Sequence, residues 1–282
     1  MALDLSISQL LVIADAAGPK AVARSTEFPF AWEDAALTAC VRFGRRPLGV
    51  ACPEAIFAVQ VGKTHVAVVQ VADQPGHDSL PLGFRFLIFD RKLYEALGGD
   101  PFLVADRFPP SWSKRGELEL LHWLPEASPR RLVEDVQTML KRGDTSLLLG
   151  GTQALLDGSR VLVAATDPAA GNLVRDVWKL LPERSRWELW PATFAFSVEL
   201  GFHIAVLPEL PTPFPEGHLT ADQARDYPEG RYELALQTAI EAGDQAELER
   251  LFARRSSSDT LRLAATLFAM ALVIAVVSKL MN

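Results

Sequence analysis

Ala55-Ile56-Phe57-Ala58-Val59-Gln60-Val61-Gly62-Lys63-Thr64-His65-Val66-Ala67-Val68-Val69-Gln70-Val71 can fold in two ways, and the choice decides the architecture. Gly62-Lys63-Thr64 is the end of a Walker A phosphate loop, which would make the segment strand, loop and helix. That loop needs a glycine five residues before Gly62, and Phe57 stands there. It also needs a helix afterwards, because the helix N-terminus faces the phosphate. Residues 65–71 are β-branched at alternate positions and beyond, so they form a strand. The segment is therefore a β-hairpin turning at 62–64, and the chain is not an NTPase.

Strand signals continue outward from the hairpin. Leu3, Leu5 and Ile7 alternate with polar residues, and Phe84 to Phe89 is another apolar run. Between them, Ala31 to Val41 reads as a helix opening on Phe30 and Trp32. Lys92 to Leu97 is a short helix closed by Gly98-Gly99, and Asp106 to Trp112 reads as a loop. Residues 1–124 are thus expected to be a strand-rich module.

An α/β module follows over 125–207. Leu132, Val133, Val136, Met139 and Leu140 fall on one face of a helix over Arg131–Lys141, stopped at Gly143-Asp144. Ser146 to Leu156 is apolar enough to be a buried helix, with Gly150-Gly151 as a candidate break. Arg160 to Ala165 is a buried strand, and Leu173 to Leu181 a helix ended by Pro182. Thr193–Val198 and His203–Leu207 are expected to pair as strands around Gly201. Pro208, Pro211, Pro213, Pro215 and Pro228 make 208–230 a linker or extended wrap. Residues 231–255 hold a helical hairpin around Gly243.

The last stretch has a different solvent in view. From Leu263 to Ser278 no charge interrupts the chain. That run makes about 24 Å of helix, short for a hydrocarbon core of about 30 Å, so Arg262 and Lys279 are expected to extend it by snorkelling. Residues 261–280 therefore read as a transmembrane anchor with the membrane as a partner. Arg250, Arg254, Arg255 and Arg262 precede the run and only Lys279 follows it, which places the body in the cytoplasm by the positive-inside rule. An exported body is the competing topology, since Leu10–Ile13 precede Ala14-Asp15-Ala16. The first ten residues carry Asp4 and no lysine or arginine, so the cationic start of a leader is missing. The fold class expected is α/β, mixed α+β: a two-module soluble body, a helical hairpin and a single C-terminal transmembrane helix.

The chain has 282 residues, 28 Lys+Arg against 35 Asp+Glu and a net charge of −7. No basic stripe answers a phosphate backbone, which excludes a nucleic-acid partner. Cys40 and Cys52 have no metal spacing. His65, His77, His122, His203 and His218 are scattered, without the close pairs of a metal site. Gly158-Ser159 precedes a strand, where a nucleophile elbow would precede a helix. Glu117/Glu119 and Glu247/Glu249 read as solvated pairs on surface helices. Trp178, Trp187 and Trp190 with Phe194 and Phe196 read as core, each indole N–H finding a carbonyl. Arg254 to Ser258 reads as a polar spacer. No cofactor and no catalytic motif is expected.

Two segments resemble a known family. One is Leu82-Gly83-Phe84-Arg85-Phe86-Leu87-Ile88-Phe89 with Asp100-Pro101-Phe102 and Asp106-Arg107-Phe108-Pro109-Pro110-Ser111-Trp112. The other runs from Gln153 to Val163, through Trp178-Lys179-Leu180-Leu181-Pro182 and Arg186, to Ala192-Thr193-Phe194-Ala195-Phe196. Together they resemble the GTPase-associated proteins of bacterial signalling and conflict systems, over about half of the body. The second segment also resembles the central part of DENN modules. The resemblance implies an α/β body with a longin-like first half that acts with a small GTPase. No catalytic residue carries over, because the matching positions are apolar, glycine or proline.

The expected function is a tail-anchored cytoplasmic scaffold or regulator that recruits a protein partner, a small GTPase or signalling complex, to the membrane. The alternative is a membrane-bound hydrolase or transferase with a dispersed site, for which His77, Asp78, Asp106 and Arg107 are the polar loop candidates. A longin-type trafficking protein with fusion helices is disfavoured, because the hairpin holding Gly243 is too short for sustained heptads.

Overall fold

The structure, a computed structural model, describes residues 4–74, 81–124 and 130–253. The first half runs β1 (Ser6–Asp15), β2 (Gly18–Ser25), α1 (Phe30–Arg42), β3 (Ala55–Val61), β4 (His65–Asp73), β5 (Leu82–Asp90), α2 (Arg91–Ala96), α3 (Pro101–Arg107), β6 (Gly116–Leu118) and β7 (Leu121–His122). The second runs α4 (Val133–Arg142), α5 (Thr145–Leu156), β8 (Arg160–Ala164), α6 (Ala170–Leu180), α7 (Glu183–Arg186), β9 (Pro191–Ala192) and β10 (Ile204–Leu207). It closes with β11 (His218–Leu219), α8 (Ala221–Arg225), α9 (Arg231–Ala242) and α10 (Gln245–Phe252).

All the described strands join one mixed sheet in the order β11-β8-β10-β9-β3-β4-β5-β1-β2-β6, with β7 on β1 off this path. The hairpin expected over 55–71 is its spine: β3 and β4 pair antiparallel from Ala55↔Val71 to Val61↔His65. The chain between β5 and β1, β1 and β2, and β4 and β5 is also antiparallel. In the second half β8, β10, β9 and β11 are parallel. The halves meet at Phe57↔Ala192, where Thr193 N–H donates to the Ile56 carbonyl at 2.9 Å and Ile56 N–H to Thr193 Oγ1 at 2.8 Å.

The spine is buried on both faces, which is why β4 and β5 read as near-continuous apolar runs, interrupted by Gln70 and Arg85. On one face Phe43, at the end of α1, stacks on Phe57 at 5.4 Å and meets Phe84 edge-on at 5.3 Å. On the other, Val66, Val68, Leu87 and Phe89 pack under Leu93 and Tyr94 of α2 and Val104 and Ala105 of α3. Helix starts follow their caps: Asp90 for α2, Asp100 followed by Pro101 for α3, Asp144 for α5 and Asp244 for α10.

Several expectations change. Asp106 and Arg107 belong to α3, because the Asp100 cap and Pro101 start a helix that the Pro109-Pro110 pair stops late. Residues 193–198 are not a strand; β9 is Pro191–Ala192, and it runs parallel to β10. Glu117 lies in β6 and Glu119 just beyond it, so neither is helical. The proline-rich 208–230 stretch contributes β11 to the sheet edge and α8, held by a Thr220/Gln223 capping box. Leu10–Ile13, weighed as a leader, lie inside β1.

Gly150-Gly151 does not break α5, which is buried from Leu147 to Leu155 and touches α4, α6, α8 and α9. A Cβ at Gly150 would stand 2.1 Å from the Ala224 carbonyl oxygen of α8. The glycine is there to let two backbones touch. The helical hairpin is formed by α9 and α10, and Gly243 caps α9 in the left-handed region. Among the described residues no helix is long and apolar enough to cross a membrane. Residues 261–280, with Arg262 and Lys279, lie outside the described residues.

Candidate functional site

One face each of α3, α4 and α6, with α7, encloses a cavity of about 570 Å³. The sequence spacing aims the side chains: Asp135, Thr138 and Arg142 recur at helical intervals on α4, and Arg175 and Lys179 stand one turn apart on α6. Ion pairs between elements fix the walls. Arg175 grips Asp106 of α3 with two hydrogen bonds of 3.0 Å and lies 4.8 Å over the Phe102 ring. Arg142 donates to Asp176 at 2.9 Å, and Lys179 approaches the same carboxylate at 3.7 Å. Asp176 is 6% exposed, so the two cations hold a buried charge in place.

The floor is built by the Gly98-Gly99 turn that follows α2. Both glycines have left-handed φ, 68° and 65°, and a Cβ on Gly99 would stand 2.9 Å from Trp187 and 3.0 Å from Arg186. Trp178 Nε1 donates to the Gly99 carbonyl at 2.8 Å, which ties the turn to α6. Arg186, 5% exposed, reaches Asp100 at 3.4 Å, while its buried Nε has no hydrogen-bond partner. Arg131 donates to the carbonyls of Lys179 and Leu181 and to Glu183, and its guanidinium lies 3.6 Å over the Phe252 ring. Burial, and then the like charge of Arg186, pull Arg131 down to about 9.

The lining carries six basic side chains (Arg130, Arg131, Arg142, Arg175, Lys179, Arg186) against four acidic ones (Asp100, Asp106, Asp135, Glu183), and with the buried Asp176 beneath Arg142 and Lys179 the excess is one positive charge. That excess sits in a chain of net charge −7. Arginines with spare N–H donors beside an apolar wall suit an anionic group. A second cavity of about 790 Å³ lies past the carboxyl ends of β8 and β10, between Phe194, Phe196, Leu207 and Leu210, and is largely apolar.

Of the polar loop candidates, Asp106 enters the cleft and Arg107 does not: its guanidinium lies 4.6 Å over Trp123 on the far side of α3. His77 and Asp78 lie outside the described residues. His203 is a core group, accepting the Trp190 N–H on Nδ1 at 3.0 Å. Burial, with Arg160 and His218 nearby, lowers it to about 4, so it is neutral. His65 packs on Trp32 with ring centroids 4.5 Å apart. Burial raises both thiols, Cys52 to about 12. Trp178 finds its carbonyl, but the buried Trp187 Nε1 has no partner. Among the described residues no group of three His, Cys, Asp or Glu is placed to hold a metal.

Sequence reasoning passed over Arg142, Arg175, Lys179 and Arg186. The one-turn Arg175/Lys179 spacing was the available signal, and it looks like any solvated helix face until α3 and α4 close over it. Comparison with protein-family models, with curated proteins and with solved structures finds no match to this chain.

Proposed function

We propose that this chain is a tail-anchored, non-enzymatic protein whose folded body faces the cytoplasm and binds a protein partner at the membrane. The observation that carries the proposal is the uncharged run from Leu263 to Ser278, flanked by Arg262 and Lys279. The body ends its described structure at α10, leaving a short polar stretch before that run. A small GTPase is the partner the family resemblance implies. The first half is consistent with the longin-like arrangement it also implies: β3-β4-β5-β1-β2 form a mostly antiparallel sheet with α1 on one face and α2 and α3 on the other.

Full-length chain should stay with membranes through alkaline carbonate extraction, and a chain ending at Ala253 should not. Protease added outside sealed, cytoplasm-out vesicles should digest the body. Recovery of the full chain in the carbonate supernatant, or a body protected inside such vesicles, would refute the proposal.

A further inference from the structure

We propose that the cleft between α3, α4 and α6 binds the phosphate group of a small organic ligand. This goes beyond the anchoring proposal; its lipid arm rests on that reading and its soluble arm does not. The walls supply the two parts of such a ligand's complement. Arg142 has one nitrogen engaged, Nη2 with Asp176, and Arg175 uses its two terminal nitrogens on Asp106. A guanidinium carries five N–H donors, so each retains donors after its carboxylate is satisfied. The carboxylates also fix where those donors point, which lowers the ordering cost of binding. Leu97, Phe102, Val136 and Met139 provide the apolar surface between them.

The number of donors favours phosphate over a single carboxylate. A phosphate monoester offers three strong acceptor oxygens against the two of a carboxylate, and the donors left on Arg142 and Arg175 suit the larger set. The volume of about 570 Å³ suits a small organic ligand and exceeds what inorganic phosphate alone would fill. Arg131 also links the cleft to Phe252, the last residue of α10. The phosphate can come from a soluble nucleotide or from a lipid headgroup.

The test uses the full chain in phosphatidylcholine nanodiscs. Calorimetry with AMP, adenosine and inorganic phosphate probes the soluble source. Hydrogen exchange over 133–142 and 170–180, with and without phosphatidic acid in the disc, probes the lipid source. Binding of AMP more tightly than either fragment supports the proposal, and so does protection by phosphatidic acid. Thr138→Glu places a carboxylate on the exposed cleft wall without removing an ion pair, and should weaken whichever ligand binds by about tenfold or more. Arg175→Ala should do the same. The proposal fails if AMP binds no more tightly than adenosine and phosphatidic acid gives no protection, or if Thr138→Glu leaves the binding of the engaged ligand unchanged.

Discussion

Arg85 and the cleft arginines are both held inside the molecule, yet their surroundings are opposite. Arg85 rises from β5 between Gln9 of β1 and Gln70 of β4, and every acceptor around it is neutral. Its Nε and Nη2 donate to Gln9, and its Nη1 to Gln70 and to the carbonyls of Phe108 and Pro109. Gln70 in turn donates to the carbonyls of Ala105 and Phe108, and Gln9 to that of Glu119. The positive charge thus meets carbonyls just past the C-terminus of α3, where the helix dipole favours it. Desolvation lowers Arg85 to about 10, Glu119 opposing. No cavity adjoins it among those described. Arg142 and Arg175 in the cleft have carboxylate partners, spare donors and open volume. An arginine whose donors are consumed by carbonyls nails backbone together; one balanced by a carboxylate beside a void is free to receive an anion.

The contrast is broken most easily at Arg85. Arg85→Met removes the donor from two glutamines and two carbonyls while leaving them buried, and should cost about 3–5 kcal/mol in urea unfolding. A loss below 1 kcal/mol would put Arg85 in the same class as a surface arginine. Next in size is Gly150→Ala, which drives a Cβ against the Ala224 carbonyl and should cost about 1–3 kcal/mol by displacing α8. Retention of the wild-type midpoint would mean that the α5–α8 contact is loose.

His203 gives a pH signature of the scaffold alone. Its folded-state pKa, about 4, lies below the ordinary value of 6.5, so the unfolded chain binds the proton first as pH falls. Stability is complete above about 6.5 and declines between there and about 4, by about 2 kcal/mol once partial exposure is allowed for. His203→Gln keeps a hydrogen-bond acceptor without titrating, and its unfolding should lose that part of the pH dependence. The smallest effect belongs to the cleft: Arg142→Ala should change stability by about 1 kcal/mol or less, because Lys179 still faces Asp176 and Arg142 is mostly exposed.

The sequence displayed the scaffold better than the cleft. Residues 55–71 announced their hairpin through β-branched runs and a three-residue turn, α4 followed from apolar periodicity, α5 from its apolar content, and α9 and α10 from a helical hairpin around Gly243. What stayed hidden depends on distant contacts. Pro191-Ala192 is a strand only because β3 and β10 flank it. Gly150 reads as a helix breaker until α8 is known to lie against it. Arg85 sits in an apolar strand with nothing local to show that Gln9 and Gln70 will surround it. Arg175 and Asp106 are far apart in sequence and become partners only when α3 packs beside α6.

The central claim is that these two sets of arginines do separate jobs. It is tested most directly by measuring the urea midpoint and the AMP or phosphatidic acid affinity of the full chain for Arg85→Lys and Arg175→Ala side by side. Arg85→Lys should lower the midpoint and leave the affinity of the folded protein intact; Arg175→Ala should leave the midpoint near wild type and reduce affinity about tenfold or more. A change in both quantities for both variants, or a loss of affinity in Arg85→Lys alone, would contradict the account.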